Sequence, residues 1–169
     1  MTGGGRNGRL RYLEDGMDIL RLLGNILWHI PFCGFLLALY AFLVGLLLTV
    51  TVVAAPIGLG LLQYAKFLLL PFSYDMVGKS ELGEAQNPLW RAYSFLVMLV
   101  YLPFGLIAFV AGIFQAVGLA LTIVGIPTAI VVVKSLGTFL NPVGKVCVHT
   151  DVMAALLRKR AEKEADRYV

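Results

Sequence analysis

The chain has 169 residues, 59% of them hydrophobic, with a mean hydropathy of +0.84 and a formal net charge of +4. A water-soluble domain of this size cannot hide so much apolar surface, because its exterior must remain largely polar. The composition therefore excludes an ordinary soluble domain and predicts an integral membrane protein.

The N-terminal segment, residues 1–22, is predicted to be an amphipathic helix. Apolar residues recur there at helical spacing with Arg and Asp between them. Such a helix lies in the membrane interface and leads into the first apolar segment.

Two long apolar runs follow, one before and one after a polar loop. Residues 30–65 and residues 92–133 contain no Asp, Glu, Lys or Arg, over 36 and 42 positions. Each run is about twice the ~20 residues that one membrane-spanning helix requires. A cleaved signal peptide is a poor alternative, since its apolar core would cover only ~7 to 15 residues.

The two runs resemble one another. A shift of 71 positions, which we call the repeat offset, superposes Thr51 on Thr122, Pro56 on Pro127 and Pro71 on Pro142. We therefore predict two parallel internal repeats, residues 23–77 and residues 92–148, joined by the polar loop at 78–91. A charged cytoplasmic helix is predicted over residues 149–169.

Each repeat is predicted to be a proline-broken helical hairpin. Pro56 in the first repeat, and Pro127 with Gly125 in the second, mark the turn, because proline disfavours continuation of a helix. Pro71 and Pro142 end the second limbs. The 14 residues between the paired prolines reach only ~21 Å as a helix, against a hydrocarbon core of ~30 Å. The alternatives are a hairpin that reaches the far face, a re-entrant hairpin and an ordinary span kinked by proline.

Charge and aromatic residues predict how the chain is oriented. Most Lys and Arg residues lie in the terminal segments, which places both termini in the cytoplasm and makes the number of crossings even. The polar loop is placed on the same side. Aromatic and basic residues that flank the apolar runs are the predicted interface anchors: Trp28, Trp90, Arg91 and Tyr93.

Two lysines lie inside apolar territory. If Pro71 and Pro142 mark the membrane exits, Lys66 lies ~7 Å inside and Lys134 lies ~12 Å inside. A lysine can snorkel to the headgroups, or it can line a hydrated path or ligand site. The candidate lining residues are polar side chains in the two runs or directly after them: Lys134, Lys66, Gln63, Thr122 and Thr51.

The motifs LGNILWHIPFCG at 23–34, TIVGIP at 122–127 and NPVG at 141–144 resemble the YccF-like family of bacterial inner membrane proteins. The resemblance implies a duplicated membrane domain in a bacterial inner (plasma) membrane. It implies no biochemical activity. The predicted fold is thus an all-α, multi-pass integral membrane protein.

Neither histidine is spaced with a nucleophile or a second metal ligand, so we expect no enzyme, no metal and no cofactor. We expect an oligomeric channel or transport component for ions or small solutes, with a preference for anions. Small residues four apart, as in Ala41 and Gly45, permit the close helix contacts of a homo-oligomer. The alternative is a non-conducting structural or regulatory module that holds partners. Membrane lipids, including anionic ones, are expected partners, and nucleic acid is not.

Overall fold

The computed structural model describes residues 4–83 and 87–167, with side chains described from residue 16 onward. The chain forms, in order, α1 (Gly4–His29), α2 (Gly34–Val50), α3 (Ala55–Leu69), β1 (Tyr74–Gly78), a short 3-10 helix (Lys79–Leu82), α4 (Pro88–Ala120), α5 (Ile126–Leu140), β2 (Lys145–His149) and α6 (Thr150–Ala165). The predicted helical character is confirmed.

Helices α2 and α3 form one hairpin and α4 and α5 form a second. Pro56 and Pro127 are the second residues of α3 and α5, where a missing backbone donor costs nothing because that N–H has no helical partner. Pro71 and Pro142 follow the ends of these helices and are fully buried. The prolines therefore mark the start and the end of the second limb in both hairpins.

Small residues let the limbs of each hairpin approach closely. In the first hairpin, Gly45 on α2 faces Gly58 on α3, and a Cβ on Gly58 would lie 2.7 Å from the Gly45 carbonyl oxygen. The positions one repeat offset later are Ala116 and Ala129, both buried. The Gly and Ala residues that suggested an oligomer interface thus lie, on the α2 face, against the chain's own α3.

The strands correct the all-α prediction. β1 pairs with β2 in an antiparallel two-stranded sheet, with Tyr74 opposite His149 and Met76 opposite Cys147. Each five-residue strand overlaps the end of a predicted membrane repeat, at residue 77 or residue 148. An isolated pair of such short strands has little stability of its own. These two pair because the rest of the fold brings them together.

The elements recur at the repeat offset seen in the sequence. Both ends of α5 lie one repeat offset after the ends of α3, and the same holds for β2 and β1. The central pair of the sheet, Met76 and Cys147, also joins positions that the repeat offset superposes. An antiparallel pair with equivalent residues at its centre has local two-fold symmetry.

Helix α4 is the first limb of the second hairpin, and its first part also contacts the first hairpin. The Tyr93 hydroxyl donates to the Val53 carbonyl at 2.6 Å, in the turn of the first hairpin. Further along α4, Gly105 lies against the Leu140 carbonyl at the end of α5. From Tyr93 to the turn at Leu121, α4 rises ~42 Å, so the two hairpin turns lie at opposite ends of one helix. The two hairpins therefore point in opposite directions, so the repeats are inverted within the structure, which corrects the prediction of parallel repeats. The side of the membrane on which each turn lies stays a prediction.

Among the described residues, α4 is the one helix that is long and apolar enough to cross a membrane, with a hydropathy of 2.5. Residues Gly16–His29 and α2 together would make a second span, bent by 77° at the break between them. α3 and α5 are apolar but shorter. The number of crossings and the side of each terminus stay predictions.

The predicted segment boundaries differ from the helix ends. α1 continues past residue 22 to His29, so the interfacial segment and the start of the first repeat belong to one helix. α4 begins at Pro88, where the Asn87 side chain accepts a hydrogen bond from the Leu89 backbone, so its first turn belongs to the predicted polar loop at 78–91. Asparagine followed by proline is a strong helix start.

Candidate functional site

Lys134 on α5 makes three short contacts with the segment that follows α3. Its Nζ donates to the Pro71 carbonyl at 2.6 Å and to the Tyr74 carbonyl at 2.9 Å, and lies 2.9 Å from Asp75 Oδ1. An ammonium group has three N–H donors, so these acceptors use all of them. Its charge also lies 5.6 Å from the centre of the Phe67 ring, a cation–π distance.

This cluster joins the two halves of the molecule. The side chains of Lys134 and Asp75 are 24% and 20% exposed, so the pair is largely shielded from solvent. A shielded charge is costly unless it is paired and hydrogen-bonded, and here both conditions are met. Asp75 is not among the predicted site residues, because an acidic residue in a polar segment gives no signal that it will contact a lysine in the other half of the chain.

Gln63 makes the equivalent contact in the opposite direction. It lies one repeat offset before Lys134, and its Oε1 accepts a hydrogen bond from the Cys147 backbone in β2 at 3.3 Å. Each second limb therefore places a polar side chain on the strand of the other half. Between them, the Tyr64 hydroxyl donates to Ser135 Oγ at 3.0 Å, and the repeat offset superposes these two residues as well.

Lys66 has a different environment from Lys134. It is exposed, and no described carboxylate lies within 4 Å of its ammonium group. It lines a groove on the side of the first hairpin. The structure therefore separates the two lysines into one that is fully hydrogen-bonded and one that faces open space.

Thr51 and Thr122 occupy the two hairpin turns. Thr51 Oγ1 donates to the Leu48 carbonyl at 2.7 Å, and Thr122 Oγ1 donates to the Leu119 carbonyl at 2.9 Å. Thr122 Oγ1 also accepts from the Gly125 backbone at 3.1 Å, which closes the second turn. The Thr51 hydroxyl supplies a partner to a carbonyl at a helix end, whereas the Leu119 carbonyl also accepts from the Thr122 backbone at 3.1 Å.

Trp28 is not an interface anchor, which corrects the prediction. It is 2% exposed, its indole N–H donates to the Leu68 carbonyl at 2.9 Å, and its ring occupies the space beside Gly34. Its indole N–H is therefore bonded within the protein and is not available to lipid headgroups. Trp90 and Arg91 are exposed, whereas the Tyr93 hydroxyl is used by the turn at Val52 and Val53.

The groove has a volume of about 910 Å³. We call it the lateral groove; it lies between α2, α3 and the first half of α4 and is closed at one end by residues 78–81 and 141–146. Its walls are mostly apolar, and the basic residues Lys66, Lys79, Arg91 and Lys145 are among those that line it. A volume in the range of ~300 to 1,000 Å³ is usual for sites that bind small molecules.

The terminal helices are tied to the same polar end. Arg21 Nη2 on α1 donates to Asp151 Oδ1 on α6 at 2.9 Å, and this hydrogen bond holds the pKa of Asp151 below its usual value. Arg160 on α6 pairs with Glu81 at 2.7 Å. Within the described part of the chain, no group of three or more His, Cys, Asp or Glu side chains could hold a metal ion.

The apolar helices, the exposed apolar side chains along them and the polar cluster at one end define a helical membrane protein. Residues 23–74 match the family model of YccF, the inner membrane component domain, and this confirms the resemblance seen in the motifs. Residues 23–74 are thus similar to a YccF domain, and the name of that domain indicates an inner membrane. No curated protein and no solved structure matches the chain.

Proposed function

We propose that the protein is a non-conducting module of the inner membrane, built from two copies of one hairpin domain that are joined by reciprocal contacts. The observation that carries the proposal is the Lys134 ammonium group, which is held by Asp75 and by two backbone carbonyls of the other half. A lysine whose donors are all used by the protein has none left for a passing anion.

The element offsets support the duplication. Helix α5 repeats α3 and strand β2 repeats β1 at the same repeat offset that aligns the prolines. The reciprocal use of Gln63 and Lys134 follows from such a repeat, because each occupies the same place on its limb. The family match covers the first copy, residues 23–74.

An oligomeric, anion-preferring channel is the second candidate. It is favoured by Lys66, which is exposed and lines the lateral groove. A pore built from several chains would turn such lysines toward water and create a field that attracts anions. In this candidate Lys66, rather than Lys134, is the residue that sets selectivity.

Chloride flux from liposomes distinguishes the two. Purified protein is reconstituted at high density, and efflux is recorded for the unaltered chain, Lys66→Met and Lys134→Met. The proposal expects efflux no faster than from protein-free liposomes in all three cases. Efflux that Lys66→Met reduces, at unchanged protein content and fold, would replace the proposal with the channel.

The predicted arrangement in the membrane is part of the proposal. Both termini are placed in the cytoplasm, on the strength of their basic residues. Reporter fusions at each end test this placement, and a reporter active only outside the cytoplasm would contradict it. Self-association is kept as a feature of the channel candidate, and cross-linking in native membranes measures it. The proposal includes no catalytic step.

A further inference from the structure

We propose that the lateral groove is a binding site for one anionic phospholipid, with an acyl chain lying along its apolar wall and the phosphate near Lys66 and Lys79. This site goes beyond the proposed function, because a non-conducting module needs no lipid of its own. The inference depends on the shape of the groove, the chemistry of its wall and the distribution of charge along it.

The wall is suited to an acyl chain. Phe35, Leu39 and Phe42 on α2 line the groove together with Leu59 and Leu62 on α3. The first half of α4 lines it as well. Three helices thus present mostly hydrocarbon and aromatic surface to one space, and Gln63, Arg91 and Ser94 are the polar residues among them away from Lys66. A hydrocarbon chain meets such a wall without leaving polar atoms unpaired.

The sheet end of the groove carries positive charge. Lys66 lies on the last turn of α3, and Lys79 follows β1, where its backbone N–H donates to the Gly144 carbonyl at 2.8 Å. Among the described side chains, no carboxylate lies within 4 Å of either ammonium group. Glu81, the acidic residue on this stretch of the lining, is paired with Arg160.

The apolar wall and the basic residues at the sheet end therefore match an amphiphile with a negative headgroup. Lysines near a membrane surface attract anionic lipids, each contributing roughly 1 kcal/mol. A zwitterionic lipid offers the same chains but no net charge, so it would gain the apolar contacts and lose most of the electrostatic ones. The groove should accordingly prefer phosphatidylglycerol to phosphatidylcholine.

Native mass spectrometry of the full chain in mild detergent tests the site. Phosphatidylglycerol, phosphatidylcholine and inorganic phosphate are titrated separately. We expect one phosphatidylglycerol bound per chain, weaker binding of phosphatidylcholine and no retained phosphate. Equal retention of both lipids, or no retained phosphatidylglycerol, would overturn the proposal.

Two variants divide the contributions of headgroup and chain. Lys66→Gln/Lys79→Gln should weaken phosphatidylglycerol binding about 30-fold, which corresponds to the loss of two lysine contributions. Its matched control is Lys159→Gln/Lys163→Gln on α6, which removes the same charge away from the groove lining and should leave binding unchanged.

Leu59→Trp, at a position that is 44% exposed and lines the groove, should reduce binding of both lipids by filling the space for the chain. Because Leu59 is exposed, folding should persist, and circular dichroism checks this. Undiminished phosphatidylglycerol binding by folded Leu59→Trp, or by the double lysine variant, would overturn the assignment of the groove.

Discussion

Gln63 and Lys134 occupy the same place in the two halves of the molecule, yet one is neutral and the other charged. Gln63 Oε1 accepts a single backbone hydrogen bond from β2, at 3.3 Å. Lys134 Nζ donates to two carbonyls and pairs with Asp75. The position opposite Gln63 that corresponds to Asp75 is Val146, which carries no charge.

The difference shows that a polar contact at this position is common to both halves, whereas the charge belongs to one. A charge so far inside apolar sequence is tolerated because its partner is supplied by the other half. The predictions that follow alter contacts between the halves or within one of them.

The largest effect is expected from Gly60→Ala. A Cβ at Gly60 would lie 1.9 Å from the Pro142 carbonyl oxygen, so the backbone of one half must move away from the other. We expect a loss of about 3 kcal/mol in the free energy of unfolding, the upper part of the range for overpacking. Unfolding in mixed micelles titrated with SDS measures it.

The matched control is Gly118→Ala on α4, where a Cβ meets nothing within 4 Å. Alanine is favoured over glycine within a helix by roughly 0.5 to 1 kcal/mol, so this variant should be slightly more stable. A Gly60→Ala chain as stable as Gly118→Ala would mean that the halves are not in contact there.

Lys134→Met should cost about 2 kcal/mol, because it leaves the shielded carboxylate of Asp75 without its partner. Lys134→Gln/Asp75→Val gives this contact the same pair of residues as the equivalent contact, which joins Gln63 in the first half to the strand that carries Val146 in the second. This double variant should recover at least half of the loss in the same unfolding assay. No recovery would show that the two positions are not equivalent.

Tyr93→Phe should cost about 1 kcal/mol, because it removes the donor to the Val52 and Val53 carbonyls in the first turn. Val52 has a φ of 60°, unfavourable for a β-branched residue, so this turn depends on its contacts. Tyr40→Phe, on an exposed face of α2, is the control and should be neutral. Proteolysis at the turn is a second readout and should accelerate only in Tyr93→Phe.

The smallest effect concerns the two thiols. Burial raises the pKa of Cys147 to about 11, against the opposing influence of Lys66 and Lys134. A thiol with that pKa is only ~0.1% thiolate at pH 8, and the thiolate is the reactive form. Cys33 is exposed. In single-cysteine variants, maleimide should label Cys33 readily and Cys147 slowly, with a Cys147 rate that rises about tenfold per pH unit. Equal rates at pH 8 would contradict this difference.

Much of the helical layout could be predicted from the sequence. The prolines at 56, 71, 127 and 142 act on the local backbone, so their effect can be predicted from the sequence alone. The limbs between them are helices of the expected length. The contacts that hold the halves together could not be predicted. β1 and β2 are short and lie in different halves of the chain, so no local pattern indicates their pairing.

The same reasoning applies to side chains. A tryptophan beside an apolar run, such as Trp28, is typical of an interface anchor. In the structure its indole is buried beside Gly34, which has no side chain and so leaves room for the ring. Lys134 is recognisable as unusual because a charge in apolar sequence is visible. The acceptors of Lys134 cannot be recognised in the sequence, because two of the three are backbone carbonyls, which every residue has.

A double-mutant cycle between Lys134 and Asp75 tests most directly whether this lysine joins the two halves. Unfolding free energies are measured for Lys134→Gln, Asp75→Asn and the double variant in the same micelles, and the coupling energy is their departure from additivity. The account predicts a favourable coupling of about 1 to 3 kcal/mol. Additive effects, with a coupling near zero, would contradict it and leave Lys134 free for another role.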